Sequence, residues 1–365
     1  MTVGLTSGLV LGVLVATNAV GVEVESKASK LNVTGRVQAM WSHSSIDNGD
    51  PSNEFLLRRA RLAIKLSVND WVSGMVEPDF AVVDQKVELK DAYFKMEPSD
   101  HLAIVVGQTK RRFDIFELTS STQMLIIERD GRIGRVKVPS YSLLTESLGY
   151  ADRDIGVFVM AHDEKERFNV EAGLTNGTGA NKKAELGEKA FQGRVSLKPI
   201  ADRDLTINVG TSVKPFANGA TAVDSIEVKY AAAFEGSLEY GNFKSGPHVQ
   251  AGVVVGTKHD DYNLATDESP SFTAFQGIAT YKRAFADTKW FEAIEPLIRV
   301  SYADPNTDVD DDGGILVTPG VNLFLVGRTR LALNADIFLP QESSLPMAPA
   351  EKTEVGVKAA TWLYW

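Results

Sequence analysis

The sequence predicts an all-β fold, a transmembrane antiparallel β-barrel of about sixteen strands. Apolar and polar residues alternate over many short segments, which is the period of a strand. The connections between those segments alternate between short and long. The chain closes on Thr361-Trp362-Leu363-Tyr364-Trp365. An aromatic final residue two places from an apolar one suits the interfacial girdle of a closing strand.

Taken in order, residues 1–19 read as an export signal. Leu9 to Ala16 is apolar with one glycine, and Thr17 and Ala19 supply small residues before a cleavage point, although no basic n-region precedes them. The barrel is expected over 20–365. In 32–42, Val33, Gly35, Val37, Ala39 and Trp41 share one face, and Thr34, Arg36 and Gln38 share the other. In the next strand Leu62, Ile64, Leu66 and Val68 oppose Arg59, Arg61, Lys65 and Ser67. Later, Phe168, Val170, Ala172 and Leu174 oppose Arg167, Asn169 and Glu171. Phe191, Val195 and Leu197 oppose Gln192, Arg194 and Ser196, and Ile207 and Val209 oppose Asn208 and Ser212. Tyr230 and Phe234 oppose Lys229. Leu331, Leu333 and Ile337 oppose Arg330, Asn334 and Asp336, and Val355 to Trp365 sets an apolar face against Glu354 and Lys358.

Alternation alone fits a soluble sandwich as well as a barrel. Connection length separates them. Turns after even strands are short: Asn69-Asp70, Glu97 to Asp100, His162 to Glu166, Ile200 to Arg203 and Gly327-Arg328. Loops after odd strands are mostly longer: 42–53, 111–152, 176–187, 216–224, 258–270, 303–313 and 340–351, with 82–86 a mild exception. A barrel inserted from the periplasm sorts its connections this way, and a sandwich has no reason to.

The bulk numbers agree. The 365 residues are 24% charged and 44% hydrophobic, which excludes wholesale disorder. No apolar run after the N-terminus is long enough for a membrane-spanning helix. Cysteine is absent, so no disulfide framework, thiolate metal site or cysteine nucleophile exists. The net charge of −10 argues against nucleic acid as a partner.

The stretch from Arg58 to Arg135 organises the chain. It opens on Arg58-Arg59-Ala60-Arg61-Leu62 and passes Leu89-Lys90-Asp91-Ala92-Tyr93. It reaches Gly107-Gln108-Thr109-Lys110 and then Glu128-Arg129 in a loop, 111–152, too long for a simple turn. That loop is expected to fold back into the barrel. Arg153-Asp154-Ile155-Gly156-Val157 and Ala172-Gly173-Leu174-Thr175-Asn176-Gly177 follow. In their order and spacing these pieces resemble the phosphate-selective porins of the O/P family. The resemblance implies a sixteen-stranded homotrimeric outer-membrane channel whose third loop enters the lumen, and a basic path for small anions. It implies that Arg58, Arg59, Asp91, Lys110 and Arg129 surround the constriction, with Ser120 and Ser121 as hydroxyl donors. One departure stands out. Between Phe113 and Glu128 there is no Lys or Arg, and the only charges are Asp114 and Glu117. The wall, rather than the loop, is therefore expected to carry the positive charge. The residue after Gly-Gln is also Thr109.

If the apolar faces meet lipid, Arg36, Arg59, Arg61 and Lys65 face the lumen. Guanidinium forks match phosphate oxygens, and a ladder of Arg and Lys gives a pore its anion preference. The bland alternative pairs these cations with Asp91, Glu88 and Asp336 as lumenal salt bridges. Lys110-Arg111-Arg112 divides in the same way between pore lining and charge neutralisation.

Asp308, Asp310 and Asp312 before Gly313 imitate the start of a calcium loop, but Pro319 stands where its bidentate Glu belongs. A solvated outer loop is the simpler reading, and a loose cation site bridging lipopolysaccharide the lesser one. Outer-membrane lipid and lipopolysaccharide are the other expected partners.

An enzyme is not expected. There are five histidines, without His-x-x-x-His or His-Glu-x-x-His spacing. No Gly-x-Ser-x-Gly elbow, Walker loop or dinucleotide fingerprint occurs, so no cofactor is expected. A non-selective general porin and a structural or adhesive barrel remain as alternatives to the anion channel, and conductance separates the last from a pore.

Overall fold

The alternating residues become the two faces of one closed sheet. The structure is a computed structural model and describes residues 22–24, 29–46, 52–81, 87–200, 204–219, 226–286, 288–341 and 352–365. The expected export signal, 1–19, lies outside them. The first strands are β1 (Val22–Val24), β2 (Lys30–Ser44), β3 (Asn53–Ser67), β4 (Val72–Asp79), β5 (Glu88–Ser99) and β6 (Leu102–Lys110). The connection 111–152 holds α1 (Ile115–Leu118), a small hairpin of β7 (Gly131–Ile133) and β8 (Val136–Val138), and α2 (Tyr141–Ser147). The wall resumes with β9 (Arg153–His162), β10 (Phe168–Thr175), β11 (Ala190–Leu197), β12 (Leu205–Ala217) and β13 (Val228–Gly241). It continues through β14 (Gly246–Thr257), β15 (Ser271–Ala284) and β16 (Ala293–Asp304). It ends with β17 (Gly314–Val326), β18 (Thr329–Pro340) and β19 (Glu354–Tyr364).

Among the described residues sixteen strands, β2–β6 and β9–β19, close into an antiparallel ring. β6 pairs directly with β9, bypassing the long loop, and β19 pairs with β2. Closure leaves no sheet edge, so backbone donors and acceptors find partners within the wall, as a lipid environment requires. At the seam the Trp365 and Gly35 backbones exchange hydrogen bonds of 3.0 and 3.1 Å. The Trp365 indole fills the space a Cβ would take at Gly35, so that position is restricted to glycine.

The side-chain distribution is inverted relative to a soluble protein. Val209 is 64% exposed and Leu333 47% exposed, while their strand neighbours Asn208 and Asn334 are buried. The same holds around the ring, with Phe234 out against Glu235 in, and Val195 out against Arg194 in. An apolar outer band with a polar interior is the pattern a bilayer stabilises. The parity of the connections also holds: 68–71, 100–101 and 327–328 are short on one end, and 111–152, 176–189 and 258–270 are long on the other.

The third long connection fills much of the lumen. Phe113, Ile115, Phe116, Leu125, Tyr141 and Leu144 form an apolar core against Ala231, Ala233, Val254, Phe272 and Ala274 of the wall. Small wall residues make room for large loop residues. Ile133 and Val138 of the hairpin pack against Leu316 and Phe338 in a second cluster. Polar contacts hold the loop backbone to the far wall. Asn334 Oδ1 accepts from Ile127 N at 2.8 Å, and Asn322 donates to Leu125 O at 2.9 Å. Tyr141 N donates to Ser301 Oγ at 3.1 Å, and Lys358 donates to Arg132 O at 2.7 Å.

One irregularity positions the site. In the β2–β3 ladder Gln38 faces Arg59 and Ala39 faces Leu57, so Arg58 is an extra residue. A bulge of this kind re-aims a side chain without disturbing the strand on either side. Here it lets two successive arginines reach one loop carboxylate in the lumen.

Candidate functional site

The gap left by the loop lies against β2–β6 and β9. It is a cavity of about 280 Å³, lined from Lys65 and Arg328 near the short turns to Lys110 and Arg153 at the root of the long loop. Seven cations line it: Arg36, Arg61, Lys65, Lys110, Arg129, Arg153 and Arg328. Among the described residues two carboxylates do, Glu77 and Asp91, while Ser120, Ser121 and Thr122 supply hydroxyls. A second cavity of about 640 Å³ opens toward the long loops, and Arg153 lines both. The outer cavity mixes Lys90, Arg111 and Lys214 with Glu88, Glu146, Asp152 and Glu185.

Local structure explains each position. β4 carries Glu77 and Asp79 on one face, with Pro78 between them at a register shift where a missing N–H is tolerated. Arg36 donates to Glu77 at 2.6 Å. Arg61 donates to Asp79 at 2.6 Å and lies 3.5 Å from Glu77. Arg153 grips Asp91 through two nitrogens, at 3.0 and 3.1 Å, a bidentate fork that fixes the guanidinium plane. Lys65 lines the cavity, is exposed and has no ion-pair partner among the described residues.

The loop segment 114–127 is neutral toward this cavity for a specific reason. Asp114 caps α1, accepting from Phe116 N at 2.8 Å and Glu117 N at 3.2 Å. It is fully buried, and burial, reinforced by the Glu235 and Glu117 carboxylates, pushes its pKa up to about 8. Glu117 is also buried, 3.6 Å from Arg129. Neither acid lines the constriction. The open carbonyls at the end of α1 attract cations instead. Lys110 donates to Glu117 O and to Thr119 O, the latter at 3.1 Å. Arg129 donates to Phe116 O at 2.8 Å and Thr119 O at 2.5 Å. Free carbonyls at a helix end are natural partners for Lys and Arg. Wall cations, with Lys110 and Arg129 on either side of the segment, thus supply the charge that 114–127 lacks.

Of the residues expected in the path, Arg36, Arg61, Lys65, Asp91, Lys110, Ser120, Ser121 and Arg129 come together around the cavity. Arg58, Arg59, Arg111 and Arg112 do not line it. Arg58 donates to Glu128 at 2.9 Å, and Arg59 lies 3.6 Å from the same carboxylate and donates to Gln38. Burial alone would push Glu128 up, but Arg58 and Arg59 overcome it and hold the carboxyl well below its usual range. This pair therefore fastens the loop. Arg111 is locked to Asp154 at 2.7 Å, facing the outer cavity. Arg112 lies over the Phe158 ring, 5.3 Å from its centroid. The expected carboxylate partners also differ: Arg36 and Arg61 take Glu77 and Asp79, and Asp336 pairs with Arg299 and Lys358 on the opposite wall.

Sequence reasoning missed Glu77, Asp79, Arg153 and Arg328 as site residues. The first two were findable, since they share the period-two face of β4, a short strand made inconspicuous by Gly74 and Pro78. Arg328 sits in a tight turn, where nothing in the local pattern points it inward. Its Nη1 donates to Thr122 Oγ1 at 2.9 Å.

Asp308 and Asp310 are exposed in the connection 305–313. Asp312 is pushed up to about 6, by burial first and Asp304 second. Pro319 lies within β17, and no metal-holding group of His, Asp or Glu forms among the described residues.

A closed sixteen-stranded barrel with an apolar exterior and a lumen narrowed by an inserted loop is an outer-membrane porin, a channel rather than an enzyme. A family model, phosphate-selective porin O and P, matches residues 31–232, more than half of the chain. The chain belongs to that family. No curated protein matches it in sequence. Solved structures share its fold at low identity. The trimer form of OmpT, an outer-membrane protein of Vibrio cholerae, is 15% identical with TM-score 0.59, over 92% of this chain and 99% of that one. The outer-membrane channel DcaP of Acinetobacter baumannii is 11% identical with TM-score 0.61, over 92% and 97%. OprB of Pseudomonas putida is 10% identical with TM-score 0.59, over 91% and 94%.

Proposed function

We propose that this porin passes small anions, phosphate among them, by passive diffusion between the inserted loop and the wall of β2–β6 and β9. The observation that carries the reading is the excess of seven cations over two carboxylates around the constriction cavity. Guanidinium and ammonium groups replace the water an oxyanion sheds on entry, and several moderate contacts allow release where one tight site would trap. Arg36, Arg61, Lys65, Lys110, Arg129 and Arg153 form the path, with Asp91 orienting Arg153 and the hydroxyls of Ser120 and Ser121 donating to the passing anion. The protein is proposed to work as a homotrimer, as the OmpT neighbour is described, within outer-membrane lipid and lipopolysaccharide. Residues 1–19 are proposed to direct export.

Internal pairing favours a second reading, a general porin of weak selectivity. Arg36, Arg61 and Arg153 each hold a carboxylate, which lowers the field an anion meets. Reversal potentials in planar bilayers under a potassium chloride gradient separate the two. A clear anion preference, with phosphate blocking chloride current, supports the first reading. Potentials near zero support the second, cation preference overturns the first, and the absence of any current leaves only a structural barrel.

A further inference from the structure

Behind the tip of the inserted loop, on the side away from β2–β6, lies a separate chamber of about 340 Å³ at the short-turn end. Thr122 and Arg328 line both this chamber and the constriction, so their hydrogen bond forms the partition. The chamber differs chemically from the constriction. Leu125, Phe243 and Phe324 give it apolar walls, and Lys244, Lys282, Arg328 and Arg330 give it four cations. Among the described residues one carboxylate lines it, Glu295, which accepts from Asn322 at 2.8 Å.

The cations are unusually idle. Among the described residues none of the four makes a salt bridge. Lys282 sits 3.5 Å from the Phe324 ring centroid and donates only to Phe243 O, at 3.3 Å. Arg330 is 3% exposed, and its guanidinium lies 5.5 Å from Phe324 and 4.5 Å from Trp362. It donates to Met124 O at 2.5 Å, and its Nε has no hydrogen-bond partner. Glu295 attracts both Lys282 and Arg330 from beyond salt-bridge distance, so one carboxylate is shared between two cations, and aromatic faces recover only part of their desolvation cost. An exogenous anion would complete the site. Inorganic phosphate would leave the aromatic walls unused, whereas a ring or short chain bearing an acid group uses both.

We propose that this chamber binds one amphipathic organic anion, an aryl or alkyl group carrying a carboxylate or phosphate. The apolar body lies against Phe243 and Phe324, and the acid head meets Lys282 and Arg330. The site adjoins the constriction across Thr122 and Arg328, but Lys282 and Arg330, which hold the acid head, do not line the constriction.

The test is calorimetric titration of the purified full-length barrel in detergent with benzoate and with phenylphosphate. Excess inorganic phosphate keeps purely ionic sites occupied. Both probes are expected to bind, and Lys282→Gln and Phe324→Leu are each expected to weaken them about tenfold, for the loss of one ionic or one ring contact. No binding in phosphate buffer, or equal affinity in wild type and both variants, overturns the proposal. Chloride reversal potentials are read at the constriction, so failure here leaves that reading standing.

Discussion

The half of the lumen walled by β12–β19 is packed by the loop except for the chamber at its short-turn end, and the half walled by β2–β6 and β9 holds the constriction. Both walls present charged side chains on their inner faces. On the filled side Arg299 and Lys358 are fully buried against Asp336, with Arg299 at 2.9 Å. Arg299 also donates to Glu128 O and Arg129 O, both at 3.2 Å, so these cations terminate on the loop backbone. On the open side the cations meet a cavity, and Lys65 has no ion-pair partner among the described residues. The same residue types hold the loop on one side and line a passage on the other. Burial makes the difference: Arg299 and Lys358 are fully enclosed, whereas Lys65 is exposed to the cavity.

The largest break in this contrast comes from the filled side. Asp336→Leu strands two buried cations and is expected to destabilise the barrel by about 3–5 kcal/mol. The drop should appear in the midpoint of denaturant unfolding, and an unchanged midpoint would show that this cluster does not hold the loop. On the open side Lys65→Glu is expected to move the reversal potential toward cations while changing stability by less than about 0.5 kcal/mol. A shift in stability without one in selectivity would invert the comparison.

A smaller effect concerns pH. Burial first, then the Glu117, Asp130 and Asp152 carboxylates, raise the Glu146 pKa to about 7. Glu146 lines the outer cavity, so protonation below about 7 removes a negative charge from the entrance. Anion preference should rise as pH falls through that value, and Glu146→Gln should flatten the profile at its acid-side level. The smallest change is Ser121→Ala. That hydroxyl is buried without a hydrogen-bond partner, so stability should hold while phosphate block weakens about threefold, one modest hydrogen bond. Equal block in both proteins would place Ser121 outside the path.

Much of the wall was legible because burial and strand period act together at each residue. Arg36, Arg61, Arg194, Asn334 and Lys358 all fall on the face that alternation assigns them. The loop was legible as an insertion from its length, but not in its internal chemistry. Asp114 and Glu117 read as acidic charge in the passage, and tertiary burial instead turns one into a helix cap and pairs the other. Arg58 and Arg59 read as lining because no sequence rule shows that Glu128, some seventy positions along, returns to meet them. Long-range pairing of this kind depends on where the loop lands.

The extra residue at Arg58 also bears on how this wall tolerates length changes. Elsewhere in β3 a one-residue deletion moves every following side chain to the opposite face, sending lysine into lipid and leucine into water. At the bulge the same deletion restores plain pairing between Gln38 and Ala39 and their partners, and both flanks keep their orientation. Loss of Arg58 would then cost one fastening to Glu128 and leave the frame of the strand intact. The bulge is the one place in β3 where the chain can shorten by a residue without turning the wall inside out.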